Sequence, residues 1–222
     1  MIRYKKVISI AMSMVVIATA FSTNVFAGGF HGCCLPRSES NPNYNIELLN
    51  EEKPNVTFLL NIGENSITEK SCGIEKSCDL EIKGYGKMND FSSLITPPWY
   101  FCKNRITSIK IGDGITRIGK CAFCDCKYLT NIDIPDSVEE IGRMAFAGCS
   151  DLRSVTIGKR VENIDGLAFW ECKSLTCVTY YGETDPNCAD AFEGCTQLKE
   201  VYVPSNYRGD TFCGIKVIKG KI

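Results

Sequence analysis

The chain has 222 residues, 44% of them hydrophobic and 23% charged, with a formal net charge of −1 and 14 cysteines. That composition suits one globular domain or a short repeat array with appendages. A near-neutral chain without a Lys/Arg cluster lacks the electrostatic footprint that nucleic acid or an anionic membrane surface requires.

At the N-terminus Arg3, Lys5 and Lys6 precede an apolar run from Val7 to Phe21, and Val25-Phe26-Ala27 places small residues at the −3 and −1 positions of a cleavage site. Residues 1–27 are expected to be a secretory signal peptide cut before Gly28. The alternative is a retained anchor, against which stands a run of about 15 apolar residues, short of a comfortable membrane span. Cleavage takes three cations from the net −1 and leaves −4. No later stretch is long and apolar enough to span a bilayer, so the exported product is expected in solution or at the cell surface. Export also means oxidising surroundings in which some cysteines pair, although spacing alone does not fix the connectivity.

Residues 28–53 are rich in Gly, Ser, Asn and Pro and contain Cys33, Cys34 and the single histidine, His31. A metal site there would lack a fourth ligand at the local spacing, so a loose leader with one disulfide is the expectation. Residues 54–105 read as an N-terminal β capping module. Asn55-Val56-Thr57 is a glycosylation sequon. Val56 to Ile62 is β-prone, and Cys78, Leu80 and Ile82 alternate with Asp79, Glu81 and Lys83 as in a half-buried strand. Cys72 and Cys78 bracket a short loop and are candidates to pair. Pro97-Pro98-Trp99-Tyr100 makes a rigid corner.

From residue 106 to 203 the chain repeats itself every 23 residues. Ile106, Leu129, Leu152, Leu175 and Leu198 form one column, Ala122, Ala145, Ala168 and Ala191 a second, Phe123, Phe146, Phe169 and Phe192 a third, and Cys126, Cys149, Cys172 and Cys195 a fourth. A fixed period of this length marks a solenoid, in which one repeat cannot bury its own apolar face and its neighbours must stack. The expected coil, taken from Leu129 onward, has a short strand at Ile132 and Ile134, a turn at Pro135-Asp136-Ser137, a second extended arm from Val138 to Gly142, and a helical turn from Met144 to Cys149. About five mainly β coils with parallel strands about 4.8 Å apart follow. In the fourth coil Thr184 and Asn187 replace the apolar residues of the second arm, which is therefore expected to be a loop. Residues 204–222 read as a C-terminal cap, with Val217-Ile218 as a last strand.

The repeat from Leu129 to Cys149 resembles the BspA-type leucine-rich repeat of bacterial and protist surface proteins. Gly84-Tyr85-Gly86-Lys87-Met88, Asp90-Phe91 and Pro98-Trp99-Tyr100 are similar to the module that often precedes such repeats, and Val201 to Gly214 to a frequent final unit, so the likeness covers about residues 72 to 220. It implies an extracellular or surface-displayed protein associated with adhesion to host or matrix proteins and with cell-to-cell contact.

Among candidate chemistries, Cys121, Cys124 and Cys126 resemble a zinc cluster but offer three thiols without a histidine nearby, so no metal is expected. The column cysteines are expected to stay buried thiols, because equivalent positions in stacked coils have nearly parallel Cβ vectors where a disulfide needs convergent ones. The off-column Cys121, Cys124, Cys177, Cys188 and Cys213 are then the expected disulfide partners. Glu139, Glu140 and Glu162 read as a solvated face. With no His dyad, catalysis and cofactors are not expected. Function is placed on the outward strand face, with Ser108, Asn131, Ser154, Cys177 and Glu200 in one column and Lys110, Asp133, Thr156, Thr179 and Tyr202 in the other. Tyr180, Tyr181 and Tyr202 are read as interface aromatics. The expected role is protein binding or adhesion through this face. The alternative is a structural element of an extracellular layer without a specific receptor.

Overall fold

The computed structural model describes residues 78–222 other than Ala189, and of the first 77 residues only the backbone of four strands. The expectations on His31, Cys33, Cys34, Asn55 and Cys72 lie outside the described residues.

Those four strands, β1 (Lys6–Ile10), β2 (Met14–Ala18), β3 (Asn43–Leu49) and β4 (Val56–Ile62), pair antiparallel in sequence, and β4 continues antiparallel to β5 (Cys78–Gly84). At β5 the sheet changes character. From there β7 (Ile106–Ile111), β9 (Asn131–Ile134), β11 (Ser154–Ile157), β13 (Cys177–Tyr180), β15 (Val201–Val203) and β17 (Ile215–Lys219) follow in parallel, and β16 (Thr211–Phe212) closes the edge antiparallel to β17. Coil stacking thus begins before Ile106, where the 23-residue columns start. A second parallel sheet holds the short arms β6 (Gly86–Lys87), β8 (Ile115–Ile118), β10 (Glu140–Ile141), β12 (Asn163–Ile164) and β14 (Asn187–Cys188). The arm β14 corrects the loop expected in the fourth coil. Its backbone pairs with β12, and Cys188, in register with Ile164 and packed against the core, takes the inward position that the 23-residue spacing assigns to Asn187.

Period-2 alternation places Ile132 and Ile134 inside and Asn131 and Asp133 outside. The third side of each coil is a run of tight turns. Ala122, Cys124 and Cys126 donate to the carbonyls three residues back, while the intervening Phe123 and Asp125 donate to Ala145 and Ala147 of the next coil at 2.7 and 2.8 Å. The pattern recurs at Phe146 and Gly148, and at Phe169 and Glu171, so a third backbone ladder joins the coils. Left-handed residues set this alternation: Cys121, Met144, Leu167 and Asp190 have φ between 54° and 64°, and Asp125, Gly148, Glu171 and Gly194 repeat the conformation four residues on. Elsewhere the coils approach too closely for a side chain. A Cβ on Gly119 would lie 1.8 Å from the Asn89 carbonyl oxygen, which explains glycine at that point of contact.

One ion pair network spans three coils. Arg117, whose side chain is 16% exposed, donates to Asp90 at 2.6 Å and to Glu140 at 2.7 Å. Partial burial opposes charge on Asp90, yet the Lys120 amide and Arg117 outweigh it and hold the carboxyl below its ordinary value. A depressed folded pKa contributes stability that is present above the unfolded value and fades as pH falls through the folded one. Arg117→Met is expected to cost about 1–2 kcal/mol at neutral pH, with the gap from wild type narrowing below about pH 4. Thermal melts across pH check this, and a gap unchanged down to the acid limb would refute it.

Candidate functional site

The outward face of the main sheet carries the predicted columns in hydrogen-bonded register. Glu81, Lys110, Asp133, Thr156, Thr179, Tyr202 and Ile218 align across seven parallel strands, and Asn131, Ser154 and Cys177 form the neighbouring row. Ser108 stands opposite Asp79 on β5. Ser108, Lys110, Asn131 and Asp133 are exposed, whereas Ser154, Thr156, Cys177, Thr179, Glu200 and Tyr202 are half-buried.

The face is divided electrostatically. At its N-terminal end Glu81 accepts from Lys83 at 2.9 Å and Lys110 at 3.1 Å, and these hydrogen bonds hold its carboxyl below the usual range. Further along, Asp133, Thr156, Thr179 and Tyr202 make no side-chain hydrogen bond or ion pair among the described residues. A contiguous row of acceptors and hydroxyls, engaged with nothing of its own chain, is thereby offered to the outside. On the opposite flank the acidic run is largely neutralised within the rod, since Arg160 pairs with Glu139 and Arg117 with Glu140.

Of the three tyrosines read as interface aromatics, Tyr180 must be withdrawn. It is 2% exposed, its hydroxyl donates to the Val161 carbonyl at 3.0 Å, and burial pushes its pKa up to about 12. The signal was present in the sequence, because Tyr180 occupies the core column of Ile134 and Ile157. Tyr181 is 47% exposed. It lines an open groove of about 420 Å³ at the fourth coil, together with Lys159, Glu162, Glu183, Asp185 and Arg208. Both cations are already paired, Lys159 with Asp136 at 3.3 Å and Arg208 with Glu183 at 3.5 Å.

The scaffold columns lie inside. Leu129, Leu152 and Leu175 are fully buried, and Leu198 nearly so. Phe123, Phe146, Phe169 and Phe192 stack with ring centroids 5.0–5.2 Å apart, and Trp99 extends the stack one coil earlier at 5.5 Å from Phe123. Cys126, Cys149, Cys172 and Cys195 are buried free thiols. Their role goes beyond filling space, which the sequence did not reveal: Cys149, Cys172 and Cys195 donate to the carbonyls of Phe123, Phe146 and Phe169 in the preceding coil at 3.1–3.3 Å. A thiol is small enough for the core and still supplies a donor to a buried backbone oxygen.

Cys126 and the neighbouring Cys124 are poor nucleophiles at neutral pH. Desolvation pushes Cys126 up to about 12 and the half-buried Cys124 up to about 11. Of the off-column cysteines, Cys188 and Cys213 form a disulfide, while Cys121, Cys124 and Cys177 are free. Asp185, Cys188 and Cys213 bring their ligand atoms within 4.8 Å of one another. The joined sulfurs offer no thiolate to a cation, and the Asp185 carboxylate instead accepts from the Cys213 amide at 2.8 Å. Among the described residues no helix is long and apolar enough to cross a membrane.

Comparison with known proteins agrees with this geometry. A leucine-rich repeat protein from Eubacterium ventriosum shares the fold at a TM-score of 0.51 and 21% identity, over 76% of this chain and 43% of that one. The chain therefore spans less than half the length of that protein. A leucine-rich repeat protein from Bacteroides ovatus matches over 66% of this chain and 48% of its own, with 25% identity and a TM-score of 0.32. No curated protein matches the chain. Residues 97–213, a little over half the sequence, match the BspA-type leucine-rich repeat region in six copies. With its parallel ladders, stacked rings and repeated turns, the chain belongs to the BspA-type leucine-rich repeat family, an architecture of the protein-interaction type.

Proposed function

We propose that the chain is a secreted or cell-surface, non-enzymatic repeat protein that binds a protein partner through the outward face of its main sheet, acting in adhesion to a host, matrix or neighbouring-cell protein. The observation that carries this reading is the row Asp133, Thr156, Thr179 and Tyr202, aligned across four parallel strands with no partner of its own among the described residues. Each coil contributes one side chain to such a row, so many weak contacts add over a large area, as repeat proteins commonly arrange. Ser108, Lys110, Asn131, Ser154 and Tyr181 extend it. Export is supported by the leader-like residues 1–27, and a non-catalytic role by the raised pKa values of Cys124 and Cys126 and by the single histidine outside the repeats.

The test is capture of extracellular-matrix or neighbouring-cell protein by the purified chain, compared with D133A, T156A and Y202A singly and together. Because these side chains make no internal bond, the variants are expected to keep the wild-type circular dichroism and melting temperature. The triple variant is expected to lose at least tenfold in affinity, about 1.4 kcal/mol. Equal capture by wild type and triple variant would remove the strand face as the site and favour a structural role in an extracellular layer.

A further inference from the structure

The turn-side ladder ends differently from the two sheets. In each of the three preceding coils the amide of the column Phe and that of the residue two positions on donate to the next coil, the last such pair being Phe169 to Ala191 at 2.8 Å and Glu171 to Glu193 at 3.0 Å. The equivalent amides of Phe192 and Gly194 donate to no acceptor among the described residues. Two further contacts stop at the same place. Among the described residues no ring stacks flat on the outer side of Phe192, since Phe212 is tilted by 54°, and no thiol reaches the Phe192 carbonyl as Cys195 reaches that of Phe169. Phe192, Cys195 and Leu198 are accordingly 7–9% exposed, where Phe169, Cys172 and Leu175 are fully buried. The opening is specific to this corner. At the start of the ladder Trp99 stacks on Phe123, and its indole N–H donates to the Ala122 carbonyl at 2.8 Å. At the far end β17 and β16 cover the main sheet, and Cys188–Cys213 ties down the second arm.

We propose that this end is a docking site for an extended segment of a partner chain, of the pattern Ala-Phe-x-x-Cys beside a basic residue, which binds as a further coil would. The missing contacts specify the occupant. Carbonyls on alternate residues accept from Phe192 and Gly194, an aromatic between them stacks on Phe192 at about 5 Å, and a small donor three residues after the aromatic reaches the Phe192 carbonyl. Within the rod Ala145, Phe146, Ala147 and Cys149 supply this same set to the coil before them. Asp190 and Glu193 are exposed and make no ion pair among the described residues, so a cation beside the segment complements them. A second copy of the chain does not fit. The carbonyls from Asp190 to Gly194 accept from Leu167, Phe169, Cys195, Glu171 and Thr196 in turn, so the edge offers donors only and two such edges cannot pair. Head-to-tail stacking is blocked by Trp99, which already occupies the Ala122 carbonyl and the Phe123 ring.

The probe is a capped peptide of residues 142–150, Gly-Arg-Met-Ala-Phe-Ala-Gly-Cys-Ser, added to the full chain. It carries Cys149→Ser, which keeps a donor and prevents disulfide exchange. Amide exchange is followed by NMR. Saturable binding is expected to slow exchange at Phe192 and Gly194 by about tenfold and to leave Phe169 and Glu171, which already have acceptors, unchanged. Phe146→Ala in the peptide should weaken binding by about tenfold, and Glu193→Lys in the chain by about fivefold. The D133A/T156A/Y202A variant should bind the peptide as wild type does, which separates this site from the strand face. Phe192 and Gly194 amides protected in the free chain as strongly as those of Phe169 and Glu171 would overturn the proposal. So would saturable binding that leaves them unprotected, loss of binding in the strand-face variant, or no saturable binding at millimolar peptide.

Discussion

Phe146→Ala is expected to destabilise the protein by about 3–5 kcal/mol, lowering the melting temperature by about 10 °C for a chain of this size. The ring is fully buried and stacks on Phe123 and Phe169 at 5.2 Å each, so truncation opens a cavity and breaks the ring column in two. Each lost aromatic contact adds about 0.5–1.5 kcal/mol to the area term. The end of the column provides the internal comparison. Phe192 is 9% exposed, and its outer neighbour Phe212 is tilted by 54° at 6.0 Å, so Phe192→Ala should cost less. Tyr128→Ala, at a site 43% exposed, should change stability by no more than about 0.5 kcal/mol. Chemical denaturation of the three variants decides the matter. A Phe146→Ala cost no larger than that of Phe192→Ala would mean that the backbone ladders, and not the rings, hold the coils together.

The sequence exposed the ring column because packing repeats: a residue that meets its own equivalent in the next coil must recur at the coil period. The same reasoning located the strand face, since positions of low recurrence such as Lys110, Asp133 and Thr156 lie outside the core by alternation. What stayed hidden was fixed by the backbone. The turn-side ladder depends on left-handed conformations at Met144 and Leu167, residues that give no glycine-like signal. The arm β14 pairs although Asn187 is exposed and polar. The parallel pairing of β5 is likewise silent in sequence, because alternation fixes which face is buried and not the direction of the neighbouring strand. The donor role of the column cysteines was hidden for a chemical reason: a buried thiol and a small hydrophobe leave the same trace in composition, and only the Phe carbonyl beside it tells them apart.

Removing the observed disulfide is expected to have the second large effect, and a local one. Cys188 and Cys213 close a loop across a separation of 25 residues, for which chain entropy gives about 3.5 kcal/mol. The bond fixes the end of the rod. Phe212, next to Cys213, is fully buried and touches both Tyr180 at 4.9 Å and Phe192 at 6.0 Å, while Asp185 holds the Cys213 amide. The Cys188→Ser/Cys213→Ser variant should therefore fray from the C-terminus. Amide exchange is expected to accelerate by at least tenfold in β15, β16 and β17 while β9 and β11 keep their protection, because each coil contacts only its neighbours and terminal coils open first. Hydrogen-exchange mass spectrometry resolves the two regions. Uniform acceleration along the chain would mean that the rod melts as one cooperative unit, and unchanged exchange in β15 to β17 would mean that Phe212 and Tyr207 hold the end without the bond.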